Sequence, residues 1–179
     1  MKNKFKLLKT KFKDLYIIKY KENIDNRGAF SKLFEDEYFY NLKLKKIYQI
    51  NISENIKRGT LRGMHYQIKP FEEDKVIKCI SGSIFDVVID LRKKSKTYLK
   101  TFSYILKNDN TLIYIPKGFA HGFQTLENKS NLLYIHGNKF SDKNQRGIAY
   151  NSDLFSIKWP LKKKILSERD KNFPHIHEV

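Results

Sequence analysis

The chain has 179 residues, 40% hydrophobic and 14% aromatic, enough for one globular domain with a substantial core over residues 1–179. Net charge is +17, but the excess is mostly lysine scattered among many Ile and Asn, as AT-rich coding produces; steering of a phosphorylated small substrate is the better use for it, and no nucleic-acid partner is expected. No run of about 18 apolar residues crosses a membrane. Met1 to Lys13 lacks the apolar block of a signal peptide, and the lone Cys79 allows no intramolecular disulfide or cysteine-based zinc site, which predicts a cytoplasmic protein without a membrane partner.

In chain order, Phe12 to Tyr20 reads as a strand and Asp25-Asn26-Arg27-Gly28 as a turn. Ala29 to Leu33 is extended, and Glu35 to Lys43 suits one short helix. Ile47 to Ser53 sets Ile47, Gln49, Asn51 and Ser53 against Tyr48, Ile50 and Ile52, a clean two-residue period. Its polar face either lines a cavity or meets solvent. Lys57-Arg58-Gly59 turns into Leu61-Arg62-Gly63-Met64-His65-Tyr66-Gln67, a strand holding arginine, histidine and glutamine. Glu72-Glu73-Asp74 reads as an acidic loop. Lys75 to Ile80 and Ile84 to Leu91 read as a hairpin through Ser81-Gly82-Ser83, and Thr101 to Lys107 with Thr111 to Ile115 repeats that shape. Ala120 to Leu126 and Asn131 to His136 add strands. Leu154, Ile157, Trp159 and Leu166 are available to pack on the outside. Short strands at this spacing, with Gly, Asn and Pro turns, predict an all-β jelly roll.

The residues with chemistry on these strands are Arg62, His65, Lys75, His121 and Tyr134, with Asp170 following near the C-terminus. They offer a base (His65), a carboxylate to orient it (Asp170 or Asp86), a phenol acid (Tyr134) and a cation for developing negative charge (Lys75). That set suits proton abstraction beside a carbonyl. Asp86 interrupts an apolar run, where a carboxylate needs partners. His65 has no histidine two residues on, His121 is distant, and His175 and His177 sit in a charged tail, so no metal is expected. Strict alternation would put Arg62 and His65 on opposite faces; if both face one site, Gly63 should sit at a bulge or kink.

Three segments, Leu61 to Gln67, Phe85-Asp86-Val87-Val88-Ile89-Asp90-Leu91-Arg92 and Ile115-Pro116-Lys117-Gly118-Phe119-Ala120-His121-Gly122-Phe123, resemble the nucleotide-diphospho-4-keto-sugar 3,5-epimerases. Asp25 to Gly28, Gln49-Ile50-Asn51, Trp159-Pro160 and Leu166 to Asp170 fall in the same order, so the resemblance spans roughly residues 12–173. It implies a cupin-type double-stranded β-helix with short flanking helices, free of metal and cofactor, and usually a homodimer. It implies that such an enzyme inverts C3, C5 or both on a 4-keto-6-deoxy sugar made for surface polysaccharide. By resemblance His65 is the base, Asp170 its orienting carboxylate and Tyr134 the acid on the opposite face. Arg62 and Lys75 bind phosphate and steady the enolate, and His121 lines the sugar pocket. Arg27 lies on an exchanged N-terminal strand that reaches the partner subunit's nucleotide. Gln49, Asn51 and Gln67 are expected to face substrate, with Asp86 supporting from behind.

The sequence departs from the family pattern at Lys32, Ile135, Lys139-Phe140, Gln145 and Arg169. Three of these, Lys32, Gln145 and Arg169, fall where substrate is bound. The departures alter nucleotide contacts and leave the chemistry in place, so a GDP-linked 4-keto-heptose stands beside a dTDP-linked hexose as substrate. A 3,4-ketoisomerase and a non-catalytic sugar-nucleotide-binding cupin are the alternative functions.

Overall fold

The protein is described here from a computed structural model covering residues 5–176. In chain order it contains β1 (Phe5–Lys9), β2 (Tyr16–Tyr20), β3 (Glu22–Asp25), β4 (Gly28–Ser31), α1 (Asp36–Asn41), β5 (Gln49–Ser53) and β6 (Leu61–Gln67). There follow β7 (Lys75–Ser81), β8 (Ser83–Asp90), β9 (Thr101–Lys107), β10 (Thr111–Ile115), β11 (Phe119–Thr125), β12 (Asn131–His136), β13 (Gln145–Gly147) and α2 (Glu168–Lys171). One sheet runs β1-β2-β10-β7-β12-β5 and the other β13-β6-β11-β8-β9, while β3 and β4 pair only with each other. The ladders are antiparallel, and the two large sheets face one another as a cupin-type jelly roll.

Alternation along the strands sorts side chains into three apolar layers. Ile17, Ile77, Ile84, Val88, Ile113 and Phe123 fill the space between the sheets. The outer face of the six-stranded sheet buries Ile18, Val76, Leu112 and Tyr114 beneath Phe39 of α1 and Leu44. The outer face of the other sheet buries Met64, Val87 and Ile89 beneath Phe155, with Ile157 and Trp159 packed alongside. Leu154, expected in that layer, is exposed, and its neighbour Phe155 takes the place. Cys79 is buried in the inner layer, and burial pushes its thiol up to about 11. No helix among the described residues is long and apolar enough to cross a membrane.

Several expectations need correction. The basic N-terminal stretch contributes β1, which pairs with β2 through Phe5↔Tyr20 to Lys9↔Tyr16. The strand expected from Phe12 starts only at Tyr16, because Thr10 Oγ1 donates to the carbonyls of Phe12 and Leu15 and closes a turn. Neither expected hairpin is one. β7 and β8 lie in different sheets, as do β9 and β10, so each short link is a corner between sheets. Gly82 takes the first corner at φ +68°, where a Cβ would strike Ser130. The segment after Arg27, read only as extended, forms β4. It pairs with β3, from Glu22↔Ser31 to Asp25↔Gly28. His177 lies outside the described residues.

Candidate active site

The central heptad forms β6, and its glycine breaks the alternation. Between Arg62↔Phe123 and His65↔His121, β6 advances three residues where β11 advances two. This is a bulge at Gly63, as expected if Arg62 and His65 share a face. Gly63 has φ +124°, and a Cβ there would lie 2.5 Å from Gly122 Cα and 2.9 Å from the His121 carbonyl oxygen. Arg62 and His65 consequently line one cleft of about 310 Å³. The other lining residues include Gln49, Asn51, Ser53, Glu73, Lys75, His121, Phe123, Tyr134, His136, Phe140 and Gln145. Gln49, Asn51 and Ser53 of β5 therefore meet the cavity; Ile50 is exposed and is not among the lining residues, while Ile52 is exposed and borders the cleft.

His65 Nε2 lies 2.9 Å from Asp170 Oδ1, and the Gly63 amide donates to Asp170 Oδ2 at 3.0 Å. Asp170 is buried on α2, whose N-cap hydroxyl, Ser167 Oγ, accepts from the Asp170 amide. Burial pushes the Asp170 carboxyl up, but the His65 bond and charge and the Gly63 and Ser167 bonds together hold it below the usual carboxylate range. A charged carboxylate only accepts, so His65 Nε2 is the donor in this bond, and the lone pair of the neutral ring is on Nδ1. The Phe173 ring meets the His65 ring edge-on at 5.4 Å and fixes it further.

Asp86 pairs with His121 instead, Oδ2 to Nε2 at 2.7 Å, with both side chains buried. This answers how a carboxylate sits in an apolar strand, and leaves Asp170 as the partner of His65. The His121 ring packs against Tyr134 at 6.1 Å. Burial, with the Asp86 charge adding and Arg62 opposing, raises the Tyr134 hydroxyl well above its ordinary value, so the phenol keeps its proton. His65 stands on the five-stranded sheet and Tyr134 on the six-stranded one, so they meet the cleft from opposite walls.

Three further residues, Glu73, His136 and Asn55, were not singled out from the sequence. Glu73 Oε1 lies 2.9 Å from Lys75 Nζ, and its Oε2 lies 2.9 Å from His136 Nδ1. Burial pushes Glu73 up, but Lys75 and His136 outweigh it and hold the carboxyl below its ordinary value. The acidic run reads as a solvated loop, and only the i,i+2 spacing of Tyr134 and His136 on one strand face hinted at this cluster. Asn55, also unanticipated, accepts from Arg62 Nε at 2.8 Å and aims the guanidinium.

Other expected site residues lie elsewhere. Gln67 donates to the carbonyls of Phe71 and Lys139 and accepts from the Ser141 amide, so its amide is engaged in bracing a loop and is not among the cleft residues. Arg169 bonds the cleft residue Gln145 from the rim. Arg27 and Lys32 do not reach this cleft: Arg27 pairs with Asp25 in the exposed β3–β4 turn, and Lys32 pairs with Glu35. No cluster of three or more His, Cys, Asp or Glu among the described residues is arranged to hold a metal ion.

The family model described as dTDP-4-dehydrorhamnose 3,5-epimerase matches residues 9–178. A dTDP-4-dehydrorhamnose 3,5-epimerase of Shigella flexneri is 36% identical over 169 residues, 93% of each chain. The crystal structure of such an enzyme from Elizabethkingia anophelis superposes with a TM-score of 0.92 at 33% identity, covering 98% of each chain. A Legionella pneumophila epimerase solved with dTDP-4-keto-L-rhamnose gives a TM-score of 0.92 at 30% identity, covering 98% of this chain and 94% of that one. A histidine–carboxylate base facing a protonated phenol across one cleft suits what these names describe, and the chain belongs to the dTDP-4-dehydrorhamnose 3,5-epimerase family.

Proposed function

We propose that the cleft binds a dTDP-linked 4-keto-6-deoxy sugar and inverts the carbons beside the ketone without metal or cofactor, to supply a sugar for surface polysaccharide. One observation carries this reading: His65 and Tyr134 approach from opposite sheets. Inversion removes a proton from one face and returns one to the other, which a single base does not readily do. His65, oriented by Asp170, takes the proton through Nδ1. Lys75 meets the developing enolate oxygen. Tyr134, kept protonated by burial and by Asp86, returns a proton from the far side. Arg62, aimed by Asn55, meets the diphosphate. Gln49, Asn51, His121, Gln145 and the rim residue Arg169 complete the substrate contacts. The single buried thiol fits a reducing cytoplasm.

The test is NMR in deuterated water with purified dTDP- and GDP-linked 4-keto-6-deoxy sugars. Deuterium should enter C3 and C5 of the dTDP sugar with inversion. Preference for the GDP sugar would overturn the nucleotide assignment, and movement of the keto group would indicate a 3,4-ketoisomerase. No exchange on either would leave only a binding protein.

We further propose a homodimer in which the β3–β4 hairpin joins the partner. Supporting this, β5 is a sheet edge that exposes Ile50 by 59% and Ile52 by 61%, and the hairpin exposes Ile24 by 76% and Phe30 by 71%. Gln49 and Asn51 of that edge strand line the cleft, so a hairpin added there brings the partner subunit's Arg27 and Lys32 to the nucleotide. Light scattering at micromolar concentration should give twice the 21.4 kDa chain mass. A monomer would contradict the exchange.

A further inference from the structure

Beyond the pair that moves protons, the cleft holds a third histidine that this chemistry does not use. His136 is the register partner of Lys75 on β7 and of Gln49 on β5, so three polar side chains cross the cleft wall in one row. Its ring stacks on Tyr134 at 5.7 Å and 14°. Its Nδ1 is tied to Glu73, whose other oxygen holds Lys75. Glu73 stays charged and accepts, so Nδ1 carries a proton, and Nε2 makes no hydrogen bond within the described residues. A polar ring edge left open between a tyrosine and a lysine of the cleft wall is arranged for a ligand.

We propose that His136 Nε2 binds the hydroxyl on the sugar carbon beside the ketone, with Glu73 as the positioning residue that fixes the ring. The inference rests on the epimerase reading, in which Lys75 meets the ketone oxygen. Side chains of register partners emerge side by side. A substituent on the carbon next to the carbonyl lies beside its oxygen in the same way, so the neighbour of Lys75 reads that substituent. A hydroxyl both donates and accepts, and so pairs with Nε2 in either protonation state. The Glu73 carboxylate repels phosphate, which assigns this row to the sugar and the Arg62 end to the diphosphate. Selectivity follows, because a site built to bond a hydroxyl rejects an analogue lacking it.

The experiment compares the nucleotide-linked 4-keto-6-deoxy sugar with its 3-deoxy analogue, reading C5 proton exchange with deuterated water in the wild type, His136→Phe, His136→Gln and Glu73→Gln. The wild type should exchange both but prefer the hydroxylated sugar. His136→Phe keeps a ring on Tyr134; it should lower kcat/KM about ten-fold on the hydroxylated sugar, the effect of one lost hydrogen bond, and leave the analogue within about two-fold. His136→Gln should recover part of the loss, and Glu73→Gln, which also releases Lys75, should lose activity on both sugars but more on the hydroxylated one. Equal losses on both sugars, or none, would overturn the assignment, since a space-filling role does not distinguish them. Should the Phe variant fail to fold, the Gln variant and the wild-type preference decide on the same criterion. A wild type that exchanges neither sugar would overturn the epimerase reading, and this inference with it.

Discussion

The His65→Asn protein is expected to fold normally and to lose exchange of the sugar C3 and C5 protons with solvent. Asparagine still offers a donor toward Asp170 but has no base, and a positioned general base contributes typically about 10²- to 10⁴-fold. A loss of that size should appear in kcat, with KM little changed, because the proposed substrate contacts of Arg62 and the polar wall remain. The measurement is deuterium wash-in by NMR, with a thermal scan to confirm folding. Exchange within a few-fold of wild type would remove His65 from the base role. The pairing should be robust to acid: the Asp170 carboxyl is lowered in the folded state, so its stabilisation is fully present above the ordinary carboxylate range. It is lost only as pH falls through the lowered folded value.

Gly63→Ala is expected to give the largest loss of stability among single changes at the site. The φ of +124° is disfavoured for any side chain, and the new Cβ would meet backbone, 2.5 Å from Gly122 Cα and 2.9 Å from the His121 carbonyl oxygen. Backbone cannot swing aside as a side-chain tip can. Relieving the clash separates β6 from β11, at a cost of about 3–5 kcal/mol or roughly 10 °C in Tm. The same separation moves His65 away from Asp170, so activity should fall in whatever fraction still folds. A variant melting within about a degree of wild type would show that the bulge is not tightly held.

The site was legible where a residue type announces its chemistry inside a regular strand. His65, Lys75, His121 and Tyr134 stand at positions whose alternation points them inward, and all four line the cleft. Gly63 was legible for a different reason: two polar residues three apart on a strand need an irregularity to share a face, and glycine permits one. Glu73 was hidden because its meaning lies across the sheets. Glu72-Glu73-Asp74 looks like solvent-facing charge, yet Glu73 is held by Lys75 and His136, and Asp74 accepts from the Tyr114 hydroxyl. The two false hairpins fail for a related reason. A two-residue period and a Gly-containing turn specify strand, turn, strand, but Gly82 serves a corner between sheets as readily as a hairpin within one. Which sheet receives the next strand is decided by core packing, which local pattern does not encode. Gln67 is a polar residue of the central motif whose amide braces a loop.

Proton delivery from opposite faces is tested most directly by Tyr134→Phe, with deuterium uptake and product configuration followed separately in one reaction. Phenylalanine keeps the contacts with the His121 and His136 rings and removes only the acid. His65 should still take protons and return deuterium to the same face, so exchange should continue. Formation of the inverted sugar should fall by about 10²-fold or more, the lower range for loss of a general acid. Exchange and inversion that both continue at wild-type rates would show that Tyr134 does not supply the second face, and the two-sided mechanism would fail.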